Sequence, residues 1–223
     1  MNFQIFQTHS RPSLSFPTES CYNVHESKSI QVLCPFCGTP KPWFRKDFTM
    51  TQYAILANPG HNRIYFSYAL CIAQQELTAV LGARGVEPQY TQASCEGLPP
   101  AVYFQPPEPL CEDALQAVRT CSFFYALFEV REGGLLRPVD VPEFHTFPED
   151  LCHILRYTGK TNEQFTRLMV NLACSACKTP AATKKLLDPM CGKGTTLYEG
   201  MVRGMDVIGI EHNAQWVQET QTF

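Results

Sequence analysis

Two carboxylates and two glycines near the carboxyl end of the sequence have the types and spacing to grip a ligand together. Asp188 ends the apolar run KKLLD, Gly192 and Gly194 follow within PMCGKG, and Glu211 ends a second apolar run, MDVIGIE. Glycines let a backbone turn sharply and approach a ligand with no Cβ in the way. An acid about twenty residues past the first glycine of such a turn is placed to accept hydrogen bonds from ribose hydroxyls. Glu211 stands nineteen residues beyond Gly192, so the chemistry implied is recognition of an adenosine-containing ligand.

Those residues need a scaffold that brings both acids to one edge. KKLLD reads as a buried parallel strand and PMCGKG as a turn. TTLYEGMVRG reads as a helix with Thr195 and Thr196 at its start and Gly204 at its end, and MDVIGIE as a second strand. A β–α–β unit of this kind favours a right-handed crossover that places both strand ends together, where ligands of such sheets bind. Two phosphate-binding alternatives fail. A Walker loop needs Ser or Thr after its lysine, where Gly194 follows Lys193, and a glycine where Leu187 stands. A dinucleotide fold needs glycine or alanine where Leu197 stands.

DPMCGKGTTL, residues 188–197, resembles the first motif of S-adenosylmethionine-dependent amino-methyltransferases, D-P-x-x-G-x-G-T. Within that superfamily the spacing is most similar to tRNA/rRNA guanosine-N2 methyltransferase-like proteins, and it also looks like the DNA N6-adenine and N4-cytosine enzymes. The resemblance covers about residues 150–218 by motif and 62–145 by architecture only. It implies S-adenosyl-L-methionine as cofactor, held by Asp188, Pro189, Met190, Cys191, Gly192, Gly194, Thr195, Thr196, Glu211 and His212. An acidic strand end suits a ligand bearing an ammonium group better than a phosphate-cradling nest would. Upstream lies RYTGKTNEQFTRLMVNLA. There the resemblance implies that Thr161 and Asn162 touch the methionine end of the cofactor, with Phe165 packed behind. The same residues also read as the N-cap of a helix, and the two roles are compatible.

The superfamily carries out transfer to an exocyclic amine with a second motif, Asp/Asn/Ser-Pro-Pro-aromatic, whose polar group holds the amine and whose aromatic stacks the flipped base. Only twelve residues follow Glu211, so the expectation is a domain truncated before that motif, with no catalytic residue assignable. A circularly permuted DNA amino-methyltransferase is the other arrangement. For it AVYFQPPEP offers Gln105-Pro106-Pro107-Glu108, with an overlong amide and a glutamate in place of the aromatic.

Near the amino end, Cys34-Pro-Phe-Cys37-Gly resembles a zinc knuckle. A tetrahedral site needs two more ligands, for which Cys21 and His25 are nearest; a structural zinc and an unliganded pair both remain open. Lys41, Trp43, Phe44, Arg45 and Lys46 interleave base and aromatic. They could stack bases and neutralise phosphates or form a solvated loop. Cys174 and Cys177, late in an apolar helix, read as core. Lys160, Arg167, Lys184 and Lys185 read as solvated or substrate-side charges, and Glu149, Asp150 and His153 make no defensible triad.

The bulk numbers set limits. The chain has 223 residues with 44% hydrophobic and 17% charged, a globular composition, and its net charge of −3 gives no overall field for nucleic acid. No apolar run reaches the ~18 residues of a membrane span, and MNFQIFQTHSRP lacks the pattern of a secretory signal. Eleven scattered cysteines without such a signal suggest reduced thiols and a cytoplasmic location.

From residue 63, RIYFSYAL reads as a strand, IAQQELTAVLGARG as a helix, VEPQYTQAS and AVYFQ as strands, CEDALQAVRTC as a helix and SFFYALFEV as a strand. The expected fold is therefore α/β. Residues 1–60 form an irregular, candidate zinc-binding segment, and 61–147 a small mixed α/β accessory domain of RNA-binding type. Residues 148–223 form the N-terminal half of a Rossmann-like methyltransferase domain. The implied partner is nucleic acid, RNA before DNA, with no membrane. The rival function is a non-catalytic nucleic-acid-binding protein with a remnant methyltransferase fold.

Overall fold

The computed structural model describes residues 4–8, 51–58, 63–92, 101–141, 143, 145–153, 157, 159–178 and 184–222, with the backbone alone at 4–8, 63–67 and 69. Two sheets organise them. The larger has five antiparallel strands in the order β3-β4-β2-β5-β6: β2 (Gln52–Ala57), β3 (Gln89–Thr91), β4 (Ala101–Gln105), β5 (Phe124–Val130) and β6 (Leu136–Pro138). Helices α1 (Arg63–Gly82) and α2 (Glu112–Arg119) complete its core. Tyr53, Ile55, Val102, Phe104 and Leu127 from the strands pack with Ala73, Leu77, Val80 and Leu81 of α1 and Ala114, Ala117 and Val118 of α2.

Two sequence expectations change here. RIYFSYAL is not a strand but the first part of α1. Its aromatic and β-branched residues favour extended backbone locally, yet the run continues into apolar positions 70, 73, 77 and 80, one helical stripe that packs on the core. The segment 1–60 is not irregular throughout, because Gln52–Ala57 is the central strand of this sheet, paired on both sides. The small unit therefore begins before residue 61.

The second sheet has the order β1-β8-β7. Strands β7 (Lys185–Asp188) and β8 (Asp206–Glu211) run parallel, with Asp188 level with Gly209. They are joined by α4 (Thr195–Val202) and followed by α5 (Ala214–Gln221). Helix α4 lies very close to both strands. A Cβ on Gly200 would sit 2.6 Å from Val207 Cγ1 and 2.8 Å from Leu186 Cδ2, so only glycine admits this approach. The far edge of β8 is taken by β1 (Gln4–Thr8), antiparallel, with Gln4 opposite Glu211; nothing in the amino-terminal sequence signals that pairing. Among the described residues no strand pairs the other edge of β7, and Leu187 there is 58% exposed.

Helix α3 (Glu163–Ala176) links the two units, packing on α1 on one side and α4 on the other. The chain between them is strapped down as well: Val139 N–H donates to Leu127 O at 2.9 Å, and Thr146 N–H to Val202 O at 2.9 Å. A 3-10 turn at Glu149–His153 buries Cys152 against Tyr198 and Val202. Cys174 is half-buried and Cys177 exposed, so the pair does not fill the core as expected. No helix among the described residues is long and apolar enough to cross a membrane.

Candidate functional site

The site is built where β7 and β8 end side by side. Past Asp188 the chain makes a tight turn, and Asp188 Oδ1 accepts from Met190 N–H at 3.0 Å, a local bond that aspartate is short enough to make. The turn is then tied to the neighbouring strand, since Cys191 N–H donates to Ile210 O at 3.1 Å. Gly192 and Gly194 follow with φ of 55° and 86°, the left-handed region where a Cβ is strained. Gly194 is also the N-cap of α4, so the second glycine converts the turn into the helix.

Glu211 closes the site from the second strand. Its Oε2 accepts from Gly192 N–H at 2.9 Å, while Oε1 accepts from His212 and Asn213 N–H, both at 2.8 Å. The carboxylate therefore points at the glycine turn, and both Asp188 and Glu211 lie near enough to Cys191 to act on its thiol. A carboxylate offers about four acceptor positions, and the described residues fill three of them. Among the described residues a Cβ on Gly192 would meet only Tyr157 Oη, at 4.0 Å. Met190, two residues before Gly192, is 84% exposed.

Thr195 is buried and Thr196 half-buried, both on the first turn of α4, and His212 is exposed beside Glu211. Cys191 is buried, and burial, with Asp188 and Glu211 nearby, pushes its thiol up to about 11. It stays protonated near neutrality and is no nucleophile.

The upstream segment shows the N-cap that its sequence suggests. Asn162 Oδ1 accepts from Phe165 N–H at 2.9 Å, so Asn162 is the N-cap of α3. Thr161 is exposed, and Phe165 at 42% exposure is not packed away behind it. From this segment Tyr157 reaches the turn. Lys193, between the two glycines, sets its ammonium 5.0 Å over the Tyr157 ring and pairs with Glu219 of α5, whose carboxyl it holds below the usual range. Sequence reasoning missed Tyr157; the signal was an aromatic at the head of a polar loop that leads into a functional helix.

Behind the turn, α4 carries charges that the sequence did not single out. Glu199 is 3% exposed. Burial opposes its ionisation, but Arg203 and Arg167 outweigh that and hold its carboxyl below the ordinary value. Arg167 is thus not a solvated charge. Its guanidinium lies 3.2 Å from Glu199 and 3.6 Å from Glu149. Lys160 likewise bonds Cys152 O at 2.7 Å and Glu163 at 2.7 Å.

Several expected groups are not at this site. Gln105 ends β4 of the five-stranded antiparallel sheet, not a strand of the sheet that holds β7 and β8. Cys21, His25, Cys34 and Cys37, with the basic and aromatic residues 41–46, lie outside the described residues. Among the described residues no three His, Cys, Asp or Glu side chains cluster as metal ligands. Compared with known proteins, no family model matches the chain and no curated protein matches its sequence.

Proposed function

We propose that the chain is an S-adenosylmethionine-dependent methyltransferase of Rossmann-like fold, transferring a methyl group to an exocyclic amine of a nucleic-acid base, in RNA before DNA. The observation that carries the reading is the pairing of two strand-end acids across one glycine turn, with Glu211 bonded to Gly192 N–H. The donor set fits the cofactor. Asp188 faces a cationic amino-acid end, Glu211 accepts from a ribose hydroxyl, and Gly192, lacking a Cβ, admits a flat adenosine close to backbone. When bound, the cofactor supplies an electrophilic methyl group. The chain's residues would hold and orient it, with Tyr157 near the glycine turn. The five-stranded unit is the proposed nucleic-acid platform.

Calorimetric titration with S-adenosylhomocysteine tests this. The intact protein is expected to bind, and Asp188→Ala and Glu211→Ala each to weaken binding at least tenfold. Absence of binding to the unaltered chain overturns it. A second reading, a nucleic-acid-binding protein with a remnant cofactor fold, is favoured by the Pro-Pro pairs at 99–100 and 106–107. Neither follows Asp, Asn or Ser, and neither precedes an aromatic. RNA binding without homocysteine-ligand binding selects it.

A further inference from the structure

A buried polar chain runs from the small unit to α4, the helix that follows the glycine turn, and Asn171 is its middle member. Glu76 of α1 is fully buried. Its Oε1 accepts from Ser122 N–H at 2.8 Å and from Asn171 Nδ2 at 2.5 Å, and its Oε2 from Ser122 Oγ at 2.6 Å. Asn171 of α3, 2% exposed, also donates to Thr120 O at 2.7 Å and accepts at Oδ1 from Arg203 Nη1 at 2.6 Å. Arg203, which caps the carboxyl end of α4, returns Nε and Nη2 to Glu199 Oε1 at 2.8 and 2.6 Å. Both amide donors and the amide acceptor of Asn171 are thus used, each toward a different element.

We propose that Asn171 is a positioning residue: through Arg203 it sets the rotation of α4, and so couples the glycine turn to the small unit. The physics is that of a satisfied network in a low dielectric. Each member is held by the others, and loss of one leaves a charge or donor buried without a partner. A planar guanidinium clamped at both ends cannot rotate without breaking a bond. Helix α4 has eight residues, about 12 Å at 1.5 Å per residue, so a twist at Arg203 is not dissipated before Gly194. A leucine at 171 would fill the space and satisfy none of these groups. The mechanical coupling stands on its own geometry; its effect on cofactor affinity rests on the methyltransferase reading.

The test is amide hydrogen exchange of the peptide spanning Pro189–Leu197, with S-adenosylhomocysteine titration on the same full-length proteins. Four are compared: unaltered, Asn171→Leu, Glu76→Gln and Leu127→Ala. Leu127, in the core of the five-stranded sheet, provides a loss of stability away from the chain of bonds. Glutamine at 76 keeps the geometry, because Oε1 still accepts from Ser122 and Asn171 while Nε2 donates to Ser122 Oγ. Asn171→Leu is expected to speed exchange at the turn at least fivefold over Leu127→Ala and to weaken ligand binding at least tenfold. Glu76→Gln should stay within twofold of the unaltered protein. Equal exchange in Asn171→Leu and Leu127→Ala overturns the proposal, as does a Glu76→Gln turn as loose as that of Asn171→Leu. Should Asn171→Leu fail to fold, Ser122→Ala, which removes one donor to Glu76, decides the matter: faster turn exchange supports the coupling and unchanged exchange overturns it. If the unaltered protein binds no S-adenosylhomocysteine, the methyltransferase reading falls, while the exchange comparison still decides the coupling.

Discussion

The carboxylate of Glu211 and the backbone N–H of Gly192, nineteen residues apart, meet at 2.9 Å and bind the end of β8 to the turn after β7. A charged hydrogen bond of this kind contributes about 1.5–3 kcal/mol. Glu211→Ala should lower unfolding stability by about that amount in urea titration, and Glu211→Gln, which keeps one acceptor toward Gly192, by less. Equal midpoints for all three proteins would show that the bond does not tie the turn.

The two left-handed glycines should differ in cost. At Gly192 an added methyl meets, among the described residues, only Tyr157 Oη at ordinary contact distance, so Gly192→Ala carries mainly the left-handed backbone penalty of about 1–2 kcal/mol. At Gly194 the same methyl also comes within 3.0 Å of Thr220 Cγ2, and Gly194→Ala should be the more destabilised. Thermal midpoints in the reverse order would contradict this.

Gly200 has no backbone requirement for glycine, only a steric one. Gly200→Ala places a methyl 2.6 Å from Val207 and 2.8 Å from Leu186, an overpacking expected to cost about 1–3 kcal/mol. A double variant with Val207→Ala should recover part of that loss; a fully additive pair would argue against the contact.

Thiol labelling should sort the described cysteines by environment. Burial first, then Glu199, pushes Cys152 up to about 12, and burial first, then Asp188 and Glu211, pushes Cys191 up to about 11. Native protein at pH 8 should react with N-ethylmaleimide at exposed Cys71 and Cys177 well before Cys152 or Cys191. Mass spectrometry of the labelled peptides reads the order.

Glu76 gives a signed pH dependence. Burial raises its carboxyl above the ordinary 4.5, against the pull of Ser122 and Asn171. A group raised in the folded state stabilises fully below its unfolded value and loses that contribution as pH rises through the folded one. Glu76→Gln should therefore be the more stable protein at pH 7, with its advantage shrinking as pH falls toward 4.5. An advantage that grows in acid would reverse the sign assigned to this group.

Much of the site was legible because its information is local. Asp188, Gly192, Gly194 and Glu211 belong to one continuous strand–turn–helix–strand run, where apolar periodicity and two glycines dictate backbone shape with little help from elsewhere. Helices α2 and α3 and strands β4 and β5 also followed from such runs. The start of α1 did not, since RIYFSYAL favours a strand locally and becomes helical only because the stripe continues to Leu81 and packs on the five-stranded sheet.

The sequence by itself determined the turn, the two acids that flank it and the parallel strands that carry them, since each rests on neighbours within about twenty positions. Tertiary structure alone decided that β1 pairs with β8, that Gln52–Ala57 is the centre of the other sheet, that Tyr157 covers Lys193, and that Glu76, Asn171, Glu199 and Arg203 form one buried chain. Those contacts join residues 4 to 207 positions apart in the sequence. Which distant donor meets which acceptor depends on how helices and sheets stack, a property no local pattern encodes.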